Sequence, residues 1–346
     1  MNKKYYIVVS DYSLENAKRQ PWYTVKHLKE VVLAGCQVKV VSSFSDVTDS
    51  VDAVVIKFWS IKDLFFSPIN HGKVIFLMSF PIYKCKDLLA TPLKLWQNRK
   101  DIWKIFLVSM VPQLILLNNL RKADNVIFIS DRSYDLIGQK LQASIMYYPY
   151  FRGNWGRVSD LKQPNATKDI SVGYFGPPFT SRGFDDVIRL IKNISSRENN
   201  IEFKLIVRTE RYQLEKKLDL YRKQIEHIGN VEVIGGVLSR KLLYNELSDV
   251  DVVLLPFSFV FSELPIVVLE AIELKKLVLT TKHSGLSRIV SDSPFCNIIN
   301  INLISTESEL REILKIGAVK DTDQNEEVFQ SVTQSHNNLR NLLCQN

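Results

Sequence analysis

The chain has 346 residues, 46% of them hydrophobic and 10% aromatic, which excludes a disordered polymer, since such a chain could not offset its ordering entropy. That length exceeds one core of ordinary size and suits two domains with a cleft between them. The net charge of +8 sits in the first part, where residues 1–150 hold 20 Lys/Arg against 12 Asp/Glu; no nucleic-acid module accompanies it, so no nucleic-acid partner is expected.

In chain order, Met1-Asn-Lys-Lys runs directly into apolar Tyr5–Val9 with no small-residue cleavage site after it, which reads as a first strand and not as a leader. Strands are expected at 5–10, 37–42, 51–58, 73–79, 125–130 and 144–148, with helical patterns between them. These runs are continuously apolar instead of alternating, so they should be buried on both faces of a mostly parallel, doubly wound sheet. Residues 84–104 interleave six Lys/Arg and two Asp with Trp96 and Trp103. That composition suits either a peripheral contact with an anionic membrane or a core helix with a solvated basic face. The apolar stretch 102–117 is interrupted by Lys104, Pro112 and Gln113 and falls short of the roughly 20 residues of a membrane span.

The first domain is assigned to 1–152 and a linker to 153–168, where Gly, Pro and polar residues replace periodicity. A second alternating series follows in a domain at 169–322, with strands at 170–175, 202–207, 231–234, 251–256, 277–281 and 297–301. The tail, 323–346, sets Val328, Val332, Leu339, Leu342 and Leu343 near one helical face and is expected to pack back on the first domain. Four scattered cysteines without a Cys-x-x-Cys pair, and five histidines without metal-ligand spacing, point to the cytoplasm and to no built-in metal or cofactor.

Two segments carry chemistry. Between Ile170 and Ile188 a strand ends at Gly176, a loop carries Arg182 and Gly183, and a helix begins. Glycine, cation and helix N-terminal amides together suit a diphosphate, although an ordinary strand-to-helix loop has the same outline. Between Leu254 and Ile272 a strand ends at Pro256, Pro265 suits the first turn of a helix, and Glu270 follows in an apolar stretch. A buried carboxylate needs a partner, and either a ribose diol or a core cation would serve. Asp249-Val-Asp251 leads into a buried strand and reads as structural, not as a metal pair. No strand is followed by Gly-x-Gly-x-x-Gly, which argues against a dinucleotide oxidoreductase.

Taken in order, Val172-Gly-Tyr-Phe-Gly176, Ser181-Arg-Gly183, Val231-Glu-Val-Ile-Gly235, Ser248 to Pro256, Glu263 to Ala271 and Ser284-Gly285 closely resemble the C-terminal domain of GT-B glycosyltransferases, in particular the retaining glycosyltransferase family four. The resemblance implies two facing Rossmann-like α/β domains and metal-independent sugar transfer. The implied donor is a UDP- or GDP-sugar, and the acceptor a glycan or lipid-linked molecule of surface polysaccharide or glycoconjugate synthesis, made in the cytoplasm or at the inner face of the membrane. Carried over by position, Gly176 lets backbone approach the phosphates, Arg182 neutralises them, and Glu270 accepts from the ribose. Leu264, Pro265, Ile266 and Val267 frame the diphosphate and sugar through backbone, while Arg208, Ile234 and Gly235 border the nucleobase. The chain departs from the family at Ser262, which stands eight residues before Glu270 where relatives have Glu, with Glu263 one place later. Arg182, Glu270 and Ser262 are therefore the candidate catalytic positions. Pro177, Lys275-Lys276-Leu277 and Arg288 are further departures. The N-terminal lobe matches in pattern only: Ser10–Asn16 lacks glycine and Phe76–Pro81 lacks histidine, and His71 reads as a surface residue. The second reading is a non-catalytic nucleotide-sugar-binding or partner subunit that keeps the fold.

Overall fold

The computed structural model describes residues 3–9, 23–48, 53–65, 72–79, 82–83, 106–152, 170–195, 201–209, 212–258, 265–281, 288, 296–299, 307–317 and 323–344. The linker 153–168, the basic segment 84–104, His71, Ser262, Glu263 and Leu264 lie outside these residues. Among the described residues the chain forms two units, one of residues 3–151 and 329–344, the other of 152–258 and 265–328.

The first unit contains β1 (Lys4–Val8), α1 (Tyr23–His27, running into a π turn at Leu28–Val32), β2 (Gln37–Val41), β3 (Ala53–Phe58), β4 (Lys73–Met78), α2 (Gln113–Leu120), β5 (Asn125–Phe128), α3 (Asp131–Leu136) and β6 (Ser144–Met146). The strands form one parallel sheet in the order β2-β1-β3-β4-β5-β6. Successive side chains of a strand point to opposite faces, and here both faces are covered. Val54, Ile56, Ile75 and Leu77 join one core cluster with Leu28, while Val74, Phe76 and Met78 join another with Leu116 and Leu120. That double burial is why these segments read as unbroken apolar runs.

The second unit contains β7 (Ile170–Gly176), α4 (Phe184–Ser195), β8 (Ile201–Arg208), α5 (Tyr212–Ile225), β9 (Val231–Gly236), α6 (Arg240–Asp249), β10 (Val252–Leu255), α7 (Ile266–Glu273), β11 (Leu277–Thr281), β12 (Cys296–Ile299) and α8 (Glu307–Gly317). Its sheet is also parallel, in the order β12-β11-β10-β7-β8-β9. The order reverses between β7 and β10. Ligands of open parallel sheets bind outside the carboxyl ends of the strands at such a switch point. Both expected doubly wound sheets are present.

The last helix, α9 (Asp323–Cys344), begins in the second unit, and its residues 329–344 belong to the first. Leu339 and Leu343 are fully buried in the core cluster of β1 and β3, and Lys73 Nζ donates to the Leu342 carbonyl at 2.8 Å. Ser335 Oγ accepts from Tyr148 N at 3.1 Å, and His336 Nε2 donates to the Tyr148 carbonyl at 2.7 Å. Against His336 lies His27, with ring centroids 4.4 Å apart. His27 Nε2 must donate to the Tyr150 carbonyl, 2.9 Å away, which leaves Nδ1 to accept from the Tyr147 hydroxyl.

Burial pushes the His27 pKa down to about 3, and His336 adds to the effect. Burial also lowers the pKa of His336. Both rings are neutral at pH 7, so between about 3 and the ordinary 6.5 the unfolded chain binds more protons than the folded one. Their contribution is complete above 6.5 and is lost as pH falls. Denaturant midpoints should therefore drop from pH 7 to pH 5, with a slope of at most roughly 1.4 kcal/mol per pH unit per histidine. The change His27→Gln should flatten that slope whatever it does to absolute stability; an unchanged slope would remove His27 from the effect.

Candidate functional site

The residues singled out in the second half gather on one edge of the second sheet. Gly176 ends β7, Arg208 ends β8, Ile234 and Gly235 lie near the end of β9, and Pro265, Ile266, Val267 and Glu270 belong to the helix that follows β10. Strands β10, β7, β8 and β9 are neighbours in that order and all parallel, so their carboxyl ends face the same way.

At the switch point, backbone conformation sets the loop. Gly176 has φ 150° and Gly183 has φ 72°, values that side chains disfavour. Between them Thr180–Arg182 makes one 3-10 turn, and the Tyr174 hydroxyl steadies the start by donating to the Pro177 carbonyl at 2.8 Å. A Cβ on Gly183 would lie 1.8 Å from the Pro256 carbonyl oxygen, so the loop rests directly on the end of β10. Ser258 N donates to the Ser181 carbonyl at 3.0 Å and extends that contact. The end of β10 is held from its other neighbour: Thr280 Oγ1 donates to the Leu255 carbonyl at 2.8 Å, and Thr281 Oγ1 to the Phe257 carbonyl at 2.5 Å.

Arg182 emerges from this turn half-buried, its guanidinium 5.8 Å from the centroid of the Phe257 ring. Burial lowers its pKa; Tyr174 opposes the shift and Arg208 adds to it. The guanidinium stays charged at any ordinary pH. Among the described residues Arg182 has no carboxylate partner. Beside it, the Ser181 hydroxyl is buried with no hydrogen-bond partner among the described residues, which costs about 1–3 kcal/mol. A cation and a hydroxyl left unmatched, with a second arginine in electrostatic range, suit an incoming anion.

The helix α7 begins after Pro265, and Glu270 lies a little over one turn inside it, 8% exposed. The first amides of a helix have no partner within it and carry partial positive charge. This helix ends in a two-bond cap, with Lys276 N donating to the Ala271 carbonyl at 2.9 Å and Lys275 N to the Ile272 carbonyl at 3.0 Å. Lys275 takes φ 56° there, a glycine conformation occupied by a lysine.

The remaining candidates are placed plainly. Arg208 is exposed and Ile234 is half-buried. Gly235 is crowded by α5, where a Cβ would lie 2.9 Å from Leu218 and 3.0 Å from the Arg222 guanidinium. Arg288 is exposed. Asp251 accepts from Ser171 N at 2.9 Å, at the start of β7 and β10 and thus at the opposite edge of the sheet. Nearby, Lys276 Nζ donates to the Ser248 carbonyl at 2.7 Å, so the Asp-x-Asp pair serves strand entry. Among the described residues no group of three His, Cys, Asp or Glu could hold a metal. Two grooves lie away from this edge, about 500 Å³ over α4 and α5 and about 560 Å³ between β6 and α9; neither includes Arg182 or Glu270. Phe257 and Thr280 were given no role by the sequence, and Ser181 entered it only as part of the Ser181-Arg-Gly183 match. A buried strand threonine is the single signal that could have flagged one of them, since its hydroxyl must find a partner.

Two substitutions test this framework. Gly183→Ala must push the loop off the Pro256 carbonyl and should lower unfolding free energy by more than about 2 kcal/mol. In contrast, Lys275→Gly removes a left-handed strain and should raise the denaturant midpoint by an equivalent of about 1 kcal/mol.

Residues 170–309 match the family described as Glycosyl transferases group 1. No curated protein matches the chain by sequence. Among solved structures the chain is similar to TarM, with 14% identity and a TM-score of 0.57, covering 86% of this chain and 56% of that one; the chain thus spans just over half of TarM. It is also similar to WaaG, a glycosyltransferase involved in lipopolysaccharide biosynthesis, with 13% identity, TM-score 0.56, and coverage of 99% and 100%. The third is the E. coli trehalose-6-phosphate structure bound with UDP-2-fluoro glucose, with 9% identity, TM-score 0.58, and coverage of 99% and 98%. The chain has the GT-B fold, and residues 170–309, within its second unit, match the group 1 glycosyl transferases.

Proposed function

We propose that the chain is a metal-independent retaining glycosyltransferase. It moves a sugar from a UDP- or GDP-sugar to a glycan or lipid-linked acceptor of surface polysaccharide or glycoconjugate synthesis. The observation that carries this reading is Arg182: a half-buried cation, without a carboxylate partner among the described residues, at the switch point of the sheet. The leaving group in such a transfer is a nucleoside diphosphate, on which negative charge grows as the glycosidic bond breaks. A guanidinium already desolvated and fixed over Phe257 stabilises that charge without reorganising, and the amides of Ile266 and Val267 add to it. Glu270 accepts from the ribose hydroxyls and sets the position of the diphosphate. UDP-2-fluoro glucose in one structural neighbour and lipopolysaccharide synthesis in another favour this donor and acceptor class.

One observation favours the second reading, a non-catalytic binder: the position eight residues before Glu270 is Ser262, so the carboxylate expected near the donor sugar is displaced to Glu263 or absent. Thermal melting with UDP, GDP, ADP and their sugars tests binding. A nucleotide at a hundred times its Kd should stabilise by about 2.7 kcal/mol, and no shift with any of them would sink the donor assignment. With a binding nucleotide in hand, Arg182→Ala should weaken it by about 10- to 100-fold, and Glu270→Gln should weaken the nucleoside but not inorganic diphosphate. Hydrolysis or transfer of the matching sugar donor then separates enzyme from binder.

A further inference from the structure

The end of α9 meets the beginning of the chain at one side chain. Tyr5, the second residue of β1, belongs to the core cluster that holds Leu339 and Leu343, and its hydroxyl donates to the Leu343 carbonyl at 3.3 Å. Two thiols flank that hydroxyl. Cys344, the residue after Leu343, shares a hydrogen bond with it, and Cys36 lies within its electrostatic range. Burial first, and then the two sulfurs, push the Tyr5 pKa up to about 12, so the hydroxyl keeps its proton and its bond to the helix end.

Cys36 arrives there by a route of its own. Gly35 takes φ 83°, Cys36 N closes a turn onto the Leu33 carbonyl at 3.0 Å, and β2 begins at Gln37. Parallel register sets Tyr5 beside Val38, and both Cys36 and Val38 pack against the cluster of Tyr5, Leu339 and Leu343. Exposure then divides the roles. Among the described residues the free cysteines are Cys36, half-buried, Cys344, exposed, and Cys296, buried; Cys85 lies outside them. A reagent reaches Cys344 first, and a helix terminus yields the small movement that disulfide geometry demands.

We propose that Cys36 and Cys344 form a reversible disulfide that locks the end of α9 onto the first unit when the surroundings turn oxidising. The oxidant is a small-molecule disulfide such as oxidised glutathione. Cys344, as thiolate, attacks one of its sulfurs and expels a glutathione thiolate, which leaves a mixed disulfide. The Cys36 thiolate then attacks Cys344 Sγ and expels the second glutathione. Two protein thiols lose two electrons and two protons, and oxidised glutathione becomes two thiols. The cross-link closes nearly the whole chain into one loop, the case in which it restricts the unfolded chain most. An exposed disulfide is also readily reduced again, so the lock opens in a reducing compartment. The inference goes beyond sugar transfer, and its test needs no nucleotide.

The full chain is incubated with oxidised glutathione, free thiols are alkylated, and unreduced peptides are mapped by mass spectrometry. The linked Cys36–Cys344 peptide should form about tenfold faster or more in folded protein than in urea, because the fold raises the effective concentration of one thiol at the other. Cys36→Ser should stop the reaction at the glutathione adduct of Cys344. Oxidised wild type should melt several degrees above reduced wild type, and Cys344→Ser should melt alike under both conditions. Absence of the linked peptide from wild type, or equal rates in folded protein and in urea, would overturn the proposal. So would Cys344 joined to Cys85 or to Cys344 of a second copy, since the partner would then not be the thiol beside Tyr5.

Discussion

Where Gly183 meets the Pro256 carbonyl, two strands that are far apart in sequence become one rigid corner. The contact leaves no room for a Cβ, so the loop after β7 has a fixed height above the end of β10. Everything of chemical interest in the second unit is referenced to that height. Arg182 reaches Phe257 because its own turn is seated on the residue before that phenylalanine, and Ser181 is buried by the same seating. A looser corner would let the guanidinium swing into water, where a single charge is worth little to a phosphate. Held here, it is already stripped of part of its hydration before any ligand arrives.

The two edges of the second sheet divide their charges accordingly. At the amino edge, Asp251 and Lys276 are matched by backbone groups of Ser171 and Ser248, and Lys204 pairs with Glu246 at 2.6 Å. These contacts fix where strands begin. At the carboxyl edge Arg182 and Arg208 repel each other. The repulsion is tolerated because the corner is held by backbone and threonine hydroxyls that do not depend on charge.

Much of this was legible in the sequence, and for physical reasons. All twelve strands were expected; central ones such as β3, β4 and β10 are buried on both faces and so read as unbroken apolar runs, whereas the edge strands β2 and β9 alternate. The glycines at 176 and 183 announced unusual backbone. Their spatial relation to Pro256 was not visible, since it depends on β10 lying beside β7, a pairing between segments about eighty residues apart. Phe257 escaped notice because a cation over a ring has no sequence spacing. Lys275 read only as a departure from the family; that it closes α7 in a left-handed conformation has no local sequence mark. The His27 and His336 pair was likewise invisible, being assembled from opposite ends of the chain.

That assembly has a consequence for how the protein is made. The sheet of the first unit is encoded within the first 150 residues, yet its core cluster includes Leu339 and Leu343, and Tyr5 donates to the carbonyl of Leu343 across 338 positions. During synthesis the amino-terminal half leaves the ribosome long before the helix that covers it. Until then the face of the sheet with Tyr5, Ile7, Val54 and Ile56 is covered only in part, by Val25, Leu28 and Val32 of α1 and its π turn, and contacts of such sequence separation are the slowest to form. The nascent half must wait with part of that hydrophobic face open, and a carboxyl-terminal truncation that removes Leu339 and Leu343 would leave it so.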